Sequence, residues 1–131
     1  MTYKSLSQLK RNHFRLTVQL PVEYYVFKFN NQPVEHLKEK KGIGEIHDLG
    51  EGGLSFFSSL QLPLEMVIGL RFHLPELGNL NILCRIIRVR KTATRYLVAV
   101  RFLNGGNKNR DLIRRFIEKQ VKHKTQLVEY M

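Results

Sequence analysis

Residues 16 to 26 read LTVQLPVEYYV, and this stretch indicates the fold of the chain. Its apolar positions alternate with mostly polar ones: Leu16, Val18, Leu20, Val22, Tyr24 and Val26 share one phase. A period of two over this length predicts a β-strand with one buried face. Pro21 falls in the polar phase, where we expect an edge position or a bend, because proline has no N–H to donate to a neighbouring strand.

Further strand-like segments follow at short intervals. Residues 42 to 49 predict a second strand, and the next four residues, Gly50-Glu51-Gly52-Gly53, predict a tight turn, because glycine tolerates unusual backbone dihedrals. Later strands start near Leu54, run from 66 to 74, start again near Leu80, and run from 96 to 102. In the segment after Leu80, the apolar residues change phase between Ile86 and Ile87, which is what a β-bulge produces.

The pattern changes period after Gly105 and Gly106. Apolar residues recur at helical spacing (Leu112, Ile113, Phe116, Ile117 and Val121), so we predict a basic helix over 109–128 with Asn109 or Asp111 as its N-cap. About six strands followed by one amphipathic helix predict an antiparallel barrel or sandwich with the helix packed on one opening.

Length and composition bound the class of protein. The chain has 131 residues, of which 43% are hydrophobic, so we expect a single globular domain over residues 1–131. No apolar run approaches the ~20 residues of a membrane span, and the first residues lack the apolar stretch of a secretory signal. Cys84 is the only cysteine, which excludes an intramolecular disulfide. We therefore expect a cytoplasmic protein without a membrane span.

The charge is strongly positive and unevenly placed. Twenty-two Lys and Arg residues against eleven Asp and Glu residues give a net charge of +11. Residues 1 to 22 and 81 to 101 contain no acid. Such a chain attracts anions, of which nucleic acid, anionic lipid and a phosphorylated small molecule are the candidates.

Catalytic and metal chemistry find no support in the sequence. The five histidines lie far apart, and none has the spacing to another His or to Cys84 that a zinc site needs. The chain contains neither a phosphate-binding P-loop motif nor a Gly-x-Ser-x-Gly nucleophile motif. We therefore expect a binding protein that is not an enzyme and that holds no metal.

Two short patches have the chemistry of a ligand site. Arg11 and Arg15 precede the first strand, and guanidinium groups bind phosphate bidentately and stack on flat π systems. Asp48 stands beside the glycine turn, where a carboxylate can accept hydrogen bonds from a guanine edge and backbone N–H groups can approach a ligand. Taken singly, each patch also fits an ordinary basic arm or a hairpin turn with Asp at its first position.

In this order and spacing the two patches resemble the PilZ domain. That family has Arg-x-x-x-Arg followed by Asp/Asn-x-Ser-x-x-Gly, and here Arg11 and Arg15 are followed by Asp48-Leu49-Gly50-Glu51-Gly52-Gly53. The segments LPV at 20 to 22, GLSF at 53 to 56, FHLP at 72 to 75 and VAVRF at 98 to 102 agree with the resemblance. It implies a mainly β fold, a six-stranded antiparallel β-barrel over 16–104 with a C-terminal α-helix. It also implies that residues 1–15 form a flexible arm and that the ligand is the second messenger cyclic di-GMP.

The resemblance also implies roles for individual residues. Arg11 and Arg15 would hold phosphates and stack on guanine, assisted by Lys10. Asp48 would contact guanine, Gly53 would close the motif, and Arg88 would lie near the ligand. Gly50 departs from the pattern, since the family has Ser there. The lost hydroxyl is worth about 0.5–1.5 kcal/mol, with a backbone N–H or a water at Gly50 as candidate replacements, so we expect weaker binding and not its loss.

Three functions are consistent with these observations. The first is a cyclic di-GMP receptor that changes conformation on binding and signals to a downstream protein partner. The second is a PilZ-like adaptor that has lost the nucleotide and binds a partner through its basic helix, at Arg114 and Arg115. The third is a nucleic-acid-binding barrel; it is disfavoured because most aromatic residues fall in buried phases, with Tyr25, Phe27 and Phe29 as the exceptions.

Overall fold

Seven strands and one helix make up the described part of the chain, which in the computed structural model comprises residues 15–29, 32–33, 41–103 and 107–129. The strands are β1 (Leu16–Phe29), β2 (Gln32–Pro33), β3 (Lys41–Leu49), β4 (Gly53–Ser58), β5 (Val67–Leu74), β6 (Gly78–Lys91) and β7 (Tyr96–Phe102). The helix, α1, is Asn107–Glu129.

Six of these strands close into a barrel. Neighbours follow the order β1, β3, β4, β7, β6, β5, and β5 pairs again with β1, every pairing being antiparallel. The short β2 pairs only with the end of β1. The predicted six-stranded barrel with a C-terminal helix is therefore confirmed, and closure through β1 and β5 decides between the barrel and the sandwich that the strand pattern left open.

The alternating apolar residues of β1 place one face of the strand in the barrel core. Val22, Tyr24 and Val26 are buried in the core, as their phase predicts. Pro21 pairs with Glu45 on β3, whereas pairing with β5 starts only at Glu23. Pro21 thus lies where β1 has a neighbour on one side only, which agrees with the predicted edge position.

Two tyrosines of β1 pack across neighbouring strands on glycines. Tyr24 lies opposite Gly42, and a Cβ on that glycine would come within 2.1 Å of the ring. Tyr25 covers Gly69 in the same way on the outer side of the barrel. The Tyr24 hydroxyl forms a hydrogen bond of 3.0 Å with the buried Ser58 hydroxyl, so the polar end of the ring is satisfied inside the core.

The predicted bulge in β6 is present. Ile86 lies opposite Val100 and Arg88 opposite Ala99, so Ile87 is the extra residue. Because of it, Arg85 and Arg88 both lie opposite outward-facing residues of β7, although a spacing of three would place them on opposite faces of a regular strand. A second bulge, which the sequence pattern did not predict, lies in β3. Ile46 lies opposite Phe56 and Asp48 opposite Ser55, so His47 is the extra residue.

Helix α1 packs its apolar face on the barrel core. Ile113, Phe116 and Ile117 are buried and belong to the same core as the strands. The helix starts two residues before the predicted position 109, so the N-cap prediction was wrong for both candidates. The side chains are used otherwise: Asn109 donates to the Asn81 carbonyl oxygen, and Asp111 pairs with Arg114 and Arg115 of the next turn.

The lone cysteine lies in the core. Cys84 is fully buried, and this burial raises the pKa of its thiol well above the usual range.

Among the described residues, no helix is long and apolar enough to cross a lipid bilayer.

Candidate functional site

Arg15 and Asp48, from the two sequence patches, meet in the folded chain. Leu16 pairs with Leu49 at the start of β1, which brings the residue before β1 next to the end of β3. The Arg15 guanidinium donates to Asp48 Oδ1 over 2.7 Å, and the two side chains are 37% and 23% exposed. Arg15, the second arginine of the Arg-x-x-x-Arg motif, and Asp48 therefore converge on one edge of the barrel.

Asp48 has a second partner that sequence reasoning missed. The Ser55 hydroxyl donates to Asp48 Oδ2 over 2.7 Å, and Ser55 is itself buried. The two residues lie opposite each other in the β3–β4 ladder, directly after the His47 bulge. Both carboxylate oxygens are thus held by donors, which fixes the direction in which the group presents its remaining lone pairs.

Small residues form a floor on the outer face of the barrel beside Asp48. One row of directly paired residues crosses four strands: Asp48 of β3, Ser55 of β4, Ala99 of β7 and Arg88 of β6. The next row on the same outer face contains Gly53, Arg101 and Arg85. Because the central positions carry little or no side chain, a flat ring can approach the sheet between a carboxylate on one side and guanidinium groups on the other.

A cavity of about 570 Å³ opens over part of this floor, at Gly53, Ala99 and Arg88, and under helix α1. Asp48 and Ser55 do not line the cavity; Asp48 lies at its edge through its contact with Arg15. The cavity brings together four of the residues predicted from the sequence, Arg15, Gly50, Gly53 and Arg88. Arg101 of β7 and Arg110 and Arg114 of α1 also line it, whereas Ile87, Phe102 and Ile117 supply apolar surface. A volume within the range of small-molecule sites, with apolar surface and a few convergent polar groups, is the usual form of a ligand pocket.

The cavity is strongly cationic. Five arginines line it, against a single carboxylate, that of Glu51, among the residues described. Guanidinium groups offer paired donors to phosphate oxygens and flat surfaces to aromatic rings. This lining suits a ligand that carries more than one phosphate together with planar bases.

The glycines of the turn have separate physical roles. A Cβ on Gly53 would lie 2.1 Å from the Val100 carbonyl oxygen, so the close approach of β4 to β7 requires a glycine there. The Gly50 N–H donates to the Gly53 carbonyl oxygen over 2.9 Å. That N–H is therefore used by the turn, and our suggestion that it replaces the missing motif hydroxyl is not supported.

Three of the arginines were not assigned to the site from the sequence, although signals for them exist. Arg101 stands in the outward phase of β7, between the inward Val100 and Phe102. Arg110 and Arg114 are four residues apart and so share one face of α1.

Lys10 and Arg11 lie outside the described residues, and their predicted roles remain predictions.

Metal ligation is not suggested by the described side chains. Within residues 15–29, 32–33, 41–103 and 107–129, no group of three or more His, Cys, Asp or Glu residues is placed to hold a metal ion.

Comparison with known proteins shows the family of the chain. No curated protein matches the chain. The PilZ domain of YcgR from Escherichia coli, solved with c-di-GMP, superposes with a TM-score of 0.64 at 16% identity, over 92% of this chain and 98% of that one. A crystal structure of YcgR with c-di-GMP gives 0.65 at 19% identity, over 90% of this chain, and the Bacillus subtilis inhibitor of motility (MotI/DgrA) gives 0.66 at 13%, over 93%.

These similarities differ in what they establish. At such identities the solved structures show a shared fold, and the chain spans only about half the length of the last two proteins, 50% and 53%. The family match is more specific, because the PilZ domain matches residues 9–119, a range that includes both sequence motifs. The chain belongs to the PilZ domain family.

Proposed function

We propose that this chain is a receptor for cyclic di-GMP, with Arg15, Asp48 and the cationic cavity as its binding site. The observation that carries the proposal is the 2.7 Å contact between Arg15 and Asp48 at the edge of that cavity, since both occupy the family's motif positions. The solved YcgR structures, which contain c-di-GMP, support the choice of ligand.

The chemistry of the lining fits the parts of this ligand. Arg15, with Lys10 and Arg11 on the arm at residues 1–15, would bind phosphate and stack on guanine. Asp48 would accept hydrogen bonds from the N–H groups of a guanine edge, because each carboxylate oxygen keeps a lone pair after bonding to Arg15 or Ser55. The floor of Gly53, Ser55 and Ala99 would let a base lie flat on the sheet.

Binding would be coupled to output through helix α1. Arg88 and Arg101 come from the barrel wall, whereas Arg110 and Arg114 come from the helix, and all four line the same cavity. A polyanion held by both elements changes the free energy of docking the helix on the barrel, which shifts the population of helix positions. We propose that a downstream protein recognises this change. We also propose that the receptor described here acts in the cytoplasm and has no catalytic activity of its own.

The two alternative functions have less support. The adaptor hypothesis is motivated by Gly50 and by the basic helix with Arg114 and Arg115, but Gly50 and Arg114 both line the cavity. The nucleic-acid hypothesis needs exposed aromatic rings for base stacking, but Tyr25 packs on Gly69 and donates to Asn81. The side chains of Phe27 and Phe29 lie outside the described residues.

Isothermal titration calorimetry with purified protein and cyclic di-GMP tests the proposal. We expect saturable heat in low salt and weaker binding as salt increases, because arginine–phosphate contacts are screened. Arg15→Gln should weaken binding about tenfold or more. Arg71→Gln is the matched control, because Arg71 pairs with Glu23 on another part of the barrel. Absence of heat with tens of micromolar protein in low salt contradicts the proposal.

A further inference from the structure

Two arginines face each other across the β6–β7 ladder. Arg85 of β6 and Arg101 of β7 are directly paired residues, and both side chains are exposed on the outer face. Directly opposed residues in an antiparallel ladder have Cβ atoms about 4.5–5.5 Å apart, and like charges in this arrangement destabilise the sheet. The fold therefore carries a repulsive pair at this position.

No carboxylate relieves this repulsion in the described part of the chain. Other exposed cations do have acidic partners: Arg71 and Lys41 pair with Glu23, Arg115 with Asp111, and Lys119 with Glu76. Arg85 and Arg101 have no ion pair within 4.0 Å among the described side chains. An uncompensated pair of this kind is stabilised when an anion lies between the two guanidinium groups.

The Arg85–Arg101 pair adjoins the cavity on the side away from the Arg15–Asp48 contact. Arg101 lines the cavity, and Arg85 lies one strand farther from Asp48. The β6 bulge adds Arg88 in the neighbouring row on the same face. Two strand spacings, about 10 Å, separate β3 from β7, so the two ends of the site can reach different phosphates of one ligand.

We infer that Arg85 and Arg101 form a second phosphate position, which binds the phosphate of the ligand that lies away from Arg15. This inference rests on the proposed function, because it needs a ligand with two separate phosphates. It assigns a binding role to Arg85, which does not itself line the cavity, and it explains why the fold retains a repulsive pair.

A substitution at Arg85 has two effects of opposite sign under this inference. Arg85→Gln removes the repulsion, so the unliganded protein should unfold at a higher temperature in low salt, and the difference should shrink in high salt. The same substitution should weaken cyclic di-GMP binding about tenfold. Arg85→Lys keeps the charge but lacks the paired donors, so it should weaken binding with little change in unfolding temperature.

Arg90→Gln is the matched control. Arg90 is exposed on the same face of β6 but lies opposite Leu97, so its loss should change neither the unfolding temperature nor the affinity appreciably. If wild-type protein binds and Arg85→Gln binds equally tightly, the second phosphate position is wrong and the receptor function stands. A lower unfolding temperature for Arg85→Gln also overturns it, because it indicates a structural role. If the wild type does not bind cyclic di-GMP, the proposed function fails and this inference with it.

Discussion

Asp48 is held by Arg15 and Ser55 through contacts of 2.7 Å each. The arginine contact is partly exposed, so its contribution to folding is small, within about 1 kcal/mol. Under the proposed function its effect on ligand binding is larger, because the two donors orient the carboxylate before the ligand binds. Preorganised polar groups improve affinity by lowering the ordering cost of binding.

The first prediction concerns this carboxylate. Asp48→Asn removes the charge and one acceptor oxygen, so cyclic di-GMP binding should weaken about tenfold while the unfolding free energy changes by less than about 1 kcal/mol. Calorimetry and urea unfolding measure the two quantities. A variant that binds as tightly as wild type would show that Asp48 does not contact the ligand.

The second prediction separates two neighbouring glycines. Gly53→Ala places a Cβ 2.1 Å from the Val100 carbonyl oxygen, so the strands must shift, at a cost of about 1–3 kcal/mol. Gly52→Ala is the control, because a Cβ there meets no heavy atom within 4 Å. Urea unfolding of the two variants should show a loss of stability for Gly53→Ala only, and equal stabilities would contradict the close approach of β4 to β7.

At the scale of elements, the two bulges decide which side chains face the site. The β6 bulge was predictable because apolar residues occupy both phases around it, at Ile86 and Ile87. The β3 bulge had a weaker signal, the odd spacing of the inward Ile46 and Leu49, and the mixed neighbours of this segment obscured it. Which arginines share a face therefore became clear only from the pairing of β6 with β7.

The helix shows the same limit of sequence reasoning. Its apolar positions identified the buried face, with Ile113, Phe116 and Ile117 in the core. They did not reveal that Arg110 and Arg114 line a cavity, because that depends on how the helix lies across the barrel opening. The helix also starts at Asn107, two residues before the predicted position, so Asn109 and Asp111 lie inside it.

The third prediction compares adjacent arginines of α1. Both arginines pair with Asp111, but only Arg114 lines the cavity. Arg114→Gln should weaken cyclic di-GMP binding about tenfold, whereas Arg115→Gln should leave it nearly unchanged. Wild-type affinity for Arg114→Gln, measured by calorimetry, would indicate that Arg114 does not take part in binding.

At the scale of the whole molecule, the strand pattern and the resemblance predicted the barrel and the helix, and the order of two motifs predicted a shared site for Arg15 and Asp48. The closure of β5 on β1 did not follow from the pattern, since alternation reports a buried face and not the neighbour of a strand. The net charge of +11 predicted an anionic ligand but gave no position for it. The proposed position followed from the fold, in which Arg15, Arg88 and Arg101 line one cavity.

The fourth prediction concerns the pH dependence of global stability. Burial raises the pKa of the Cys84 thiol, so the native state keeps the thiol protonated while the unfolded chain ionises near its ordinary pKa of about 8.5. The contribution to stability is fully present below that pH and is lost as the pH rises above it. Urea unfolding should therefore show a decline from pH 8 to 10 that is shallower in Cys84→Ala, and identical slopes would contradict this assignment.

The central claim is that cyclic di-GMP binds where Arg15 and Asp48 meet the cavity, and amide chemical-shift mapping by NMR tests it most directly. Glycine amides mark both the site and distant parts of the barrel. On adding cyclic di-GMP, we expect the amides of Gly50, Gly52 and Gly53 to shift, while those of Gly69 and Gly78 stay in place. The account is contradicted if saturating cyclic di-GMP leaves the amide signals of Gly50, Gly52 and Gly53 unchanged, or if it shifts mainly those of Gly69 and Gly78.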